Sequence, residues 1–130
     1  MALSRAESAA ATGARPRFDR QAGLLVGSCC DDCGTVSWPS RAICSNCGGD
    51  ALRLEPLPRT ATLRSYTTVW VPRPSLTVPY VLGQVDFGHG ASVFAHVREL
   101  SPDARVPLSV SVVLSPDPDH TPSFWFEPTT

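Results

Sequence analysis

The chain has 130 residues, with eleven arginines, no lysine, twelve acidic residues and a net charge of −1. That is the length of one domain, without the positive field expected of an electrostatic nucleic-acid binder. Thirteen prolines and nine glycines make it a turn-rich chain in which long helices are disfavoured, and no apolar run approaches the roughly 20 residues of a membrane span.

Residues 1–16 are rich in Ala and Arg and contain no apolar core of the roughly 7–15 residues that a signal peptide needs. They read as a disordered tail. Residues 17–27 read as a short helix with Phe18, Ala22 and Leu25 on one side, although Gly23 and Gly27 weaken it. Residues 28–50 form a cysteine module. Residues 51–59 read as an extended connector broken by Pro56 and Pro58.

The remainder reads as strands. Residues 60–71 are rich in Thr, Val, Tyr and Trp, and a proline-interrupted loop follows. Residues 80–87 and 91–97 alternate apolar and polar positions on either side of Gly88-His89-Gly90, a hairpin connection. Residues 106–114 give the clearest alternation, with Val106, Leu108, Val110, Val112 and Leu114 on one face. Residues 123–127 carry Phe124, Trp125 and Phe126. Five short strands with one apolar face each cannot safely leave their edges open. The expected fold is therefore mainly β: an N-terminal rubredoxin-like zinc ribbon, then a five-stranded OB-fold barrel over residues 60–128.

All five cysteines lie between Cys29 and Cys47, too close together to staple distant segments. Such clustering points to a metal site in a reducing compartment, and hence to a cytoplasmic protein. The residues form two Cys-x-x-Cys-Gly knuckles, Cys30-Asp31-Asp32-Cys33-Gly34 and Cys44-Ser45-Asn46-Cys47-Gly48, with ten residues between the pairs. Each spacing lets two thiolates turn toward one ion, and the glycine permits a left-handed turn. Four thiolates suit a single Zn²⁺; rubredoxin-type iron uses the same knuckles. Cys30, Cys33, Cys44 and Cys47 are the expected ligands and Cys29 the spare, although the two adjacent cysteines could exchange roles. Four protein ligands leave no position for water, so the zinc is expected to be structural.

Elsewhere the chemistry is sparse. His89, His96 and His120 lie in no nucleophile motif, and no catalytic residues are expected. Trp38 is expected to pack over the metal module. Trp70, Tyr80, Trp125 and Phe126 are the candidates for a partner-facing aromatic patch.

The two knuckles, Arg64-Ser65-Tyr66-Thr67-Thr68-Val69, Pro79-Tyr80-Val81-Leu82-Gly83-Gln84-Val85-Asp86 and Phe124-Trp125-Phe126-Glu127-Pro128 together resemble the acyl-CoA-associated OB-fold and zinc-ribbon family, once catalogued as domain of unknown function 35. The resemblance covers residues from about 20 to 128. It implies a non-catalytic accessory subunit that docks on a thiolase-like or steroid side-chain aldolase-like enzyme as a hetero-oligomer and helps form its acyl-CoA site, with acyl-CoA held mainly through the partner. Ser37-Trp38-Pro39-Ser40 stands where family members usually carry Phe-Pro-Pro. The alternative reading is a nucleic-acid-binding module, since OB folds and zinc ribbons both occur in such proteins. That reading wants basic residues among the aromatics, and the strands offer Arg64 and Arg98. No nucleic acid and no membrane partner are therefore expected.

Overall fold

The computed structural model describes residues 16–117 and 119–129. They form nine strands and no helix. The disordered tail expected over residues 1–16 lies, apart from Pro16, outside the described residues. Two compact units are present: Met1–Pro58 with Phe87–Ser92, and Arg59–Asp86 with Val93–Thr130.

In the first unit, β1 (Phe18–Asp19), β2 (Leu24–Cys30), β3 (Val36–Ser37) and β4 (Leu52–Pro56) make a small antiparallel sheet. Strand β2 lies at its centre, pairing with β1, β3 and β4. The helix expected over residues 17–27 is absent. Leu25 and Val26 are both buried, as are the next four residues; a continuous buried run belongs to a strand covered on both faces rather than to an amphipathic helix. Gly23 takes a positive φ of 71° in the β1–β2 turn. There its N–H donates to the Asp19 carbonyl at 2.8 Å, and the Ala22 N–H donates to Asp19 Oδ1 at 3.1 Å. Gly27 is required by close approach, because a Cβ there would lie 2.1 Å from the Ser37 carbonyl oxygen.

The expected connector over residues 51–59 is likewise a strand. Leu54 is buried while Arg53 is exposed, and β4 pairs with β2 along its whole length, from Cys30↔Leu52 to Val26↔Pro56. The flanking prolines hide this alternation in the sequence. Pro56 falls at the strand's last position, where a missing donor is tolerated.

The second unit is built on the barrel strands β5 (Thr60–Val69), β6 (Tyr80–Gly88), β7 (Ala91–Val97), β8 (Leu108–Leu114) and β9 (Phe124–Pro128). They close in the order β5-β6-β7-β9-β8, so all five strands expected from the alternation are present. Strand β5 pairs with both β6 and β8, and a bulge between Leu63 and Ser65 lets it bend around the barrel. Closure is made by the parallel contact Val97↔Phe126, followed by the Arg98 N–H donating to the Phe126 carbonyl at 2.8 Å. Leu63, Val85, Val93, Val97, Val110, Val112 and Phe126 fill the interior. Gly83 admits this packing, since a Cβ there would meet Leu63 Cδ1 at 2.5 Å.

Phe126 is completely buried, so it cannot belong to the partner-facing patch expected from the sequence. With Phe126 inside, period-two alternation turns Trp125 to the other face. Phe126→Ala should cost about 3–5 kcal/mol of stability, seen as a lower denaturant midpoint for the barrel.

His96 is half-buried, with its ring 5.2 Å from that of Tyr80. Burial, and then the charge of Arg98, holds its pKa below the ordinary 6.5. Above 6.5 neither the folded nor the unfolded chain binds this proton. As pH falls through 6.5 toward the lower folded value, the unfolded chain takes it up first, so stability is lost. Denaturant midpoints should therefore drop between about pH 7.5 and about pH 5.5, and His96→Asn should shrink that drop.

Candidate metal centre

The two knuckles sit on different parts of the first unit. Cys30 ends β2, and Cys33 lies in the turn toward β3. Cys44 and Cys47 lie in the loop between β3 and β4. Both knuckles turn alike: the Gly34 N–H donates to the Cys30 carbonyl at 2.9 Å and the Gly48 N–H to the Cys44 carbonyl at 3.1 Å. Both glycines have φ of 77°, the left-handed conformation that the motif requires.

The four sulfurs converge. Those of Cys30, Cys33, Cys44 and Cys47 all lie within 4.8 Å of one another, and the Cys30–Cys47 and Cys33–Cys44 separations are both 3.6 Å. That is far beyond the roughly 2.05 Å of a disulfide, and all five cysteines are free thiols. A tetrahedron with metal–sulfur bonds of about 2.3 Å has edges of about 3.8 Å, so the cluster has the dimensions of a four-thiolate metal site. Cys30 and Cys44 are buried, while Cys33 and Cys47 are exposed.

Cys29 is outside this group. Its side chain leaves β2 on the opposite face from that of Cys30, and its sulfur rests 3.9 Å from the carbonyl oxygens of Cys30 and Gly34. Strand alternation thus separates the two adjacent cysteines.

Two polar side chains that the sequence did not single out support the cluster. The Thr35 hydroxyl lies 3.2 Å from Cys33 Sγ, and the Asn46 side-chain amide donates to the same sulfur at 3.6 Å. Thr35, through its hydroxyl and then its backbone, together with Asn46, lowers the Cys33 pKa to about 6. The N–H groups of Cys47 and Asn46 also lower that of Cys44. The Gly49 N–H pulls Cys47 down, but hydrogen bonds with the Cys30 and Cys33 sulfurs push it up to about 12. A polar residue within or just after a Cys-x-x-Cys pair is the sequence signal that identifies such supports. Asp31 is held by an ion pair with Arg53 of β4, tying the first knuckle to that strand.

Trp38 does not cover the cluster. It packs 6.2 Å from the Phe18 ring, donates from Nε1 to the Arg17 carbonyl at 3.1 Å, and carries the Arg17 guanidinium 4.9 Å above its own ring. In the barrel unit, Trp70 is 69% exposed and its neighbour Val71 67%. Tyr80 and Trp125 are half-buried. Trp125 Nε1 donates to Glu127 Oε2 at 2.8 Å, and the Arg98 guanidinium stands 3.8 Å above the Trp125 ring.

Known proteins share this arrangement. Residues 20–53 match the family model "ChsH2, rubredoxin-like zinc ribbon domain", and residues 54–114 match "ChsH2, C-terminal OB-fold domain". The chain is 29% identical over 99 residues to the benzoylsuccinyl-CoA thiolase subunit BbsA of Thauera aromatica, covering 73% of this chain and 69% of that protein. It is 26% identical over 92 residues to the subunit of the same name from Geobacter metallireducens, covering 71% and 62% respectively. The solved structure titled "Ltp2-ChsH2(DUF35) aldolase" superposes with a TM-score of 0.67 at 22% identity, over 89% of this chain and all of that one. With both family models matched in order, the chain belongs to the ChsH2-type DUF35 family, in which a rubredoxin-like zinc ribbon precedes an OB-fold barrel.

Proposed function

We propose that this protein is a non-catalytic accessory subunit that docks on a thiolase-like or aldolase-like enzyme and helps form its acyl-CoA site. Acyl-CoA is held mainly through the partner, in a hetero-oligomer of the reducing cytoplasm. The observation that carries this reading is the similarity to the BbsA thiolase subunits, which extends over more than 70% of this chain. A nucleic-acid role is disfavoured because Arg64 is drawn into an ion pair with Asp86 at 3.3 Å.

Within this reading, the docking surface centres on Trp70 and Val71, the most exposed large apolar residues among those described. Tyr80 lies beside it, opposite Val69 in the β5–β6 register, and Trp125 is a further half-buried candidate. Aromatic anchors carry most of the energy of an interface. The partner to test is a thiolase-like enzyme of the organism that makes this chain. The two should co-purify, and Trp70→Ala should weaken binding by about 2 kcal/mol or more in a calorimetric titration, with metal content unchanged. Failure to co-purify would refute the accessory role. Wild-type affinity in a folded Trp70→Ala variant would move the docking surface elsewhere.

The metal in this reading is one structural Zn²⁺, held by Cys30, Cys33, Cys44 and Cys47. All four sulfurs serve as ligands, which leaves the ion closed to substrate. Elemental analysis should find about one zinc per chain. Cys33→Ser should lose it and loosen the ribbon, because a module this small folds on its metal. Cys29→Ser should keep it. Loss of zinc in the Cys29 variant, or stoichiometric iron in the wild type, would overturn the assignment.

A further inference from the structure

Where β6 begins and β7 ends, the barrel unit contains a cleft of about 500 Å³. Four separate segments line it: the β5–β6 loop, the start of β6, the end of β7 with the turn after it, and the β8–β9 loop. These are the loops after the first barrel strand and before the last, the region where OB barrels take oligonucleotides and oligosaccharides. Small-ligand pockets run from roughly 300 to 1,000 Å³, so the cleft has room for one such molecule.

Its lining combines flat rings with a fixed positive charge. Tyr80 and His96 stand with ring centroids 5.2 Å apart and planes inclined at 33°. Arg98 lies over Trp125, and the His120 ring meets the same Trp125 edge-on at 6.3 Å. Arg98 makes no ion pair among the described residues; a ring, which does not neutralise it, holds its guanidinium in place. His120 donates from Nδ1 to the Pro122 carbonyl, which leaves Nε2 as its second polar atom. Burial, and then Arg98, hold the His96 pKa below its ordinary value, which disfavours the charged ring.

The backbone gives an independent indication. Among the described residues, three other than glycine have a positive φ: Ser75 (69°), His89 (54°) and Glu99 (60°). His89 sits in a hairpin turn and Ser75 in the tight turn that the Leu76 N–H closes on the Arg73 carbonyl at 3.1 Å; Glu99, just after β7, lines this cleft outside such a hydrogen-bonded turn. Such conformations concentrate at ligand clamps, where the surrounding structure enforces them.

We propose that this cleft binds a nucleoside monophosphate: the base stacks against Tyr80 and His96, the phosphate meets Arg98 and His120, and lining hydroxyls such as Thr77 and Thr121 take the sugar. A polymer fits less well. A nucleic-acid strand needs a track of cations along its backbone, and here Arg98 and His120 share the rim with the Glu99 carboxylate. The site lies within the barrel unit and needs no partner subunit, so it stands or falls independently of the docking role.

The test is calorimetric titration of the full-length, zinc-loaded chain with adenosine monophosphate, adenosine, inorganic phosphate and a short oligothymidylate. One adenosine monophosphate should bind per chain, and adenosine or phosphate alone should bind at least about tenfold more weakly. Tyr80→Leu and Arg98→Gln should each weaken binding by about tenfold or more, while Trp70→Ala should leave it unchanged. In the wild-type chain the imidazole NMR signals of His96 and His120 should shift on titration while those of His89 stay fixed, which locates the site even if a variant misfolds. Absence of saturable binding, or a shift confined to His89, would overturn the proposal. So would preference for the oligonucleotide with a steep salt dependence, which would make the barrel a single-strand binder instead.

Discussion

Four sulfur atoms within 4.8 Å of one another cannot all ionise without a cation between them, and the first unit is organised around that constraint. The opposed behaviour of the thiols expresses it. Cys33 is held near 6 by donors from Thr35 and Asn46, while Cys47 is pushed to about 12 by sulfurs already sharing their hydrogens. A dication removes the conflict and lets every thiol serve as a thiolate. The sheet beneath supplies little else to fold on. Two of its four strands have only two residues, so β2 is the one strand able to organise the rest. By ending on Cys30 with Cys29 turned to the other face, β2 both builds the sheet and delivers the first sulfur of the cluster.

The barrel meets a different constraint. A closed sheet has no edge to pair with another chain, and closure here comes down to one parallel contact, Val97↔Phe126. Phe126 contributes the contact and also fills the interior, with Phe124 edge-on at 6.0 Å. With the interior occupied by side chains, no ligand can sit inside the barrel. Recognition has to use the outer face and the loops, which is where Trp70, Val71 and the cleft beside Tyr80 lie.

What the sequence revealed follows from how local each signal is. The knuckles are legible because both cysteines of a pair and the turning glycine lie within five residues. The five barrel strands are legible because each carries its own period of two. The start of β2 looks helical in the sequence because Phe18, Ala22 and Leu25 fit helical spacing, whereas the buried run from Leu25 to Cys30 becomes intelligible only once β3 and β4 flank it. Strand β4 was hidden by its prolines. Phe126 could be placed inside only after the register Val112↔Phe126 was known, since alternation says that Phe126 and Trp125 face opposite ways without saying which is inside. The cleft was out of reach for the same reason at larger scale. Tyr80, His96 with Arg98, and His120 come from three places in the chain, and none is distinctive alone.

The absence of lysine bears on how these surfaces recognise anything. A guanidinium is flat and lies on a ring, whereas an ammonium is a compact, strongly hydrated point charge. Arg17 stands over Trp38, Arg20 over Phe18 and Arg98 over Trp125, while Arg53 and Arg64 are held by carboxylates. At these five positions the positive charge is pinned in place, on aromatic faces or beside acids. With a net charge of −1, the protein projects little long-range field to steer a charged polymer. Ring-and-guanidinium pairs of this kind are already ordered before any contact is made, and such preorganisation lowers the entropic cost of binding.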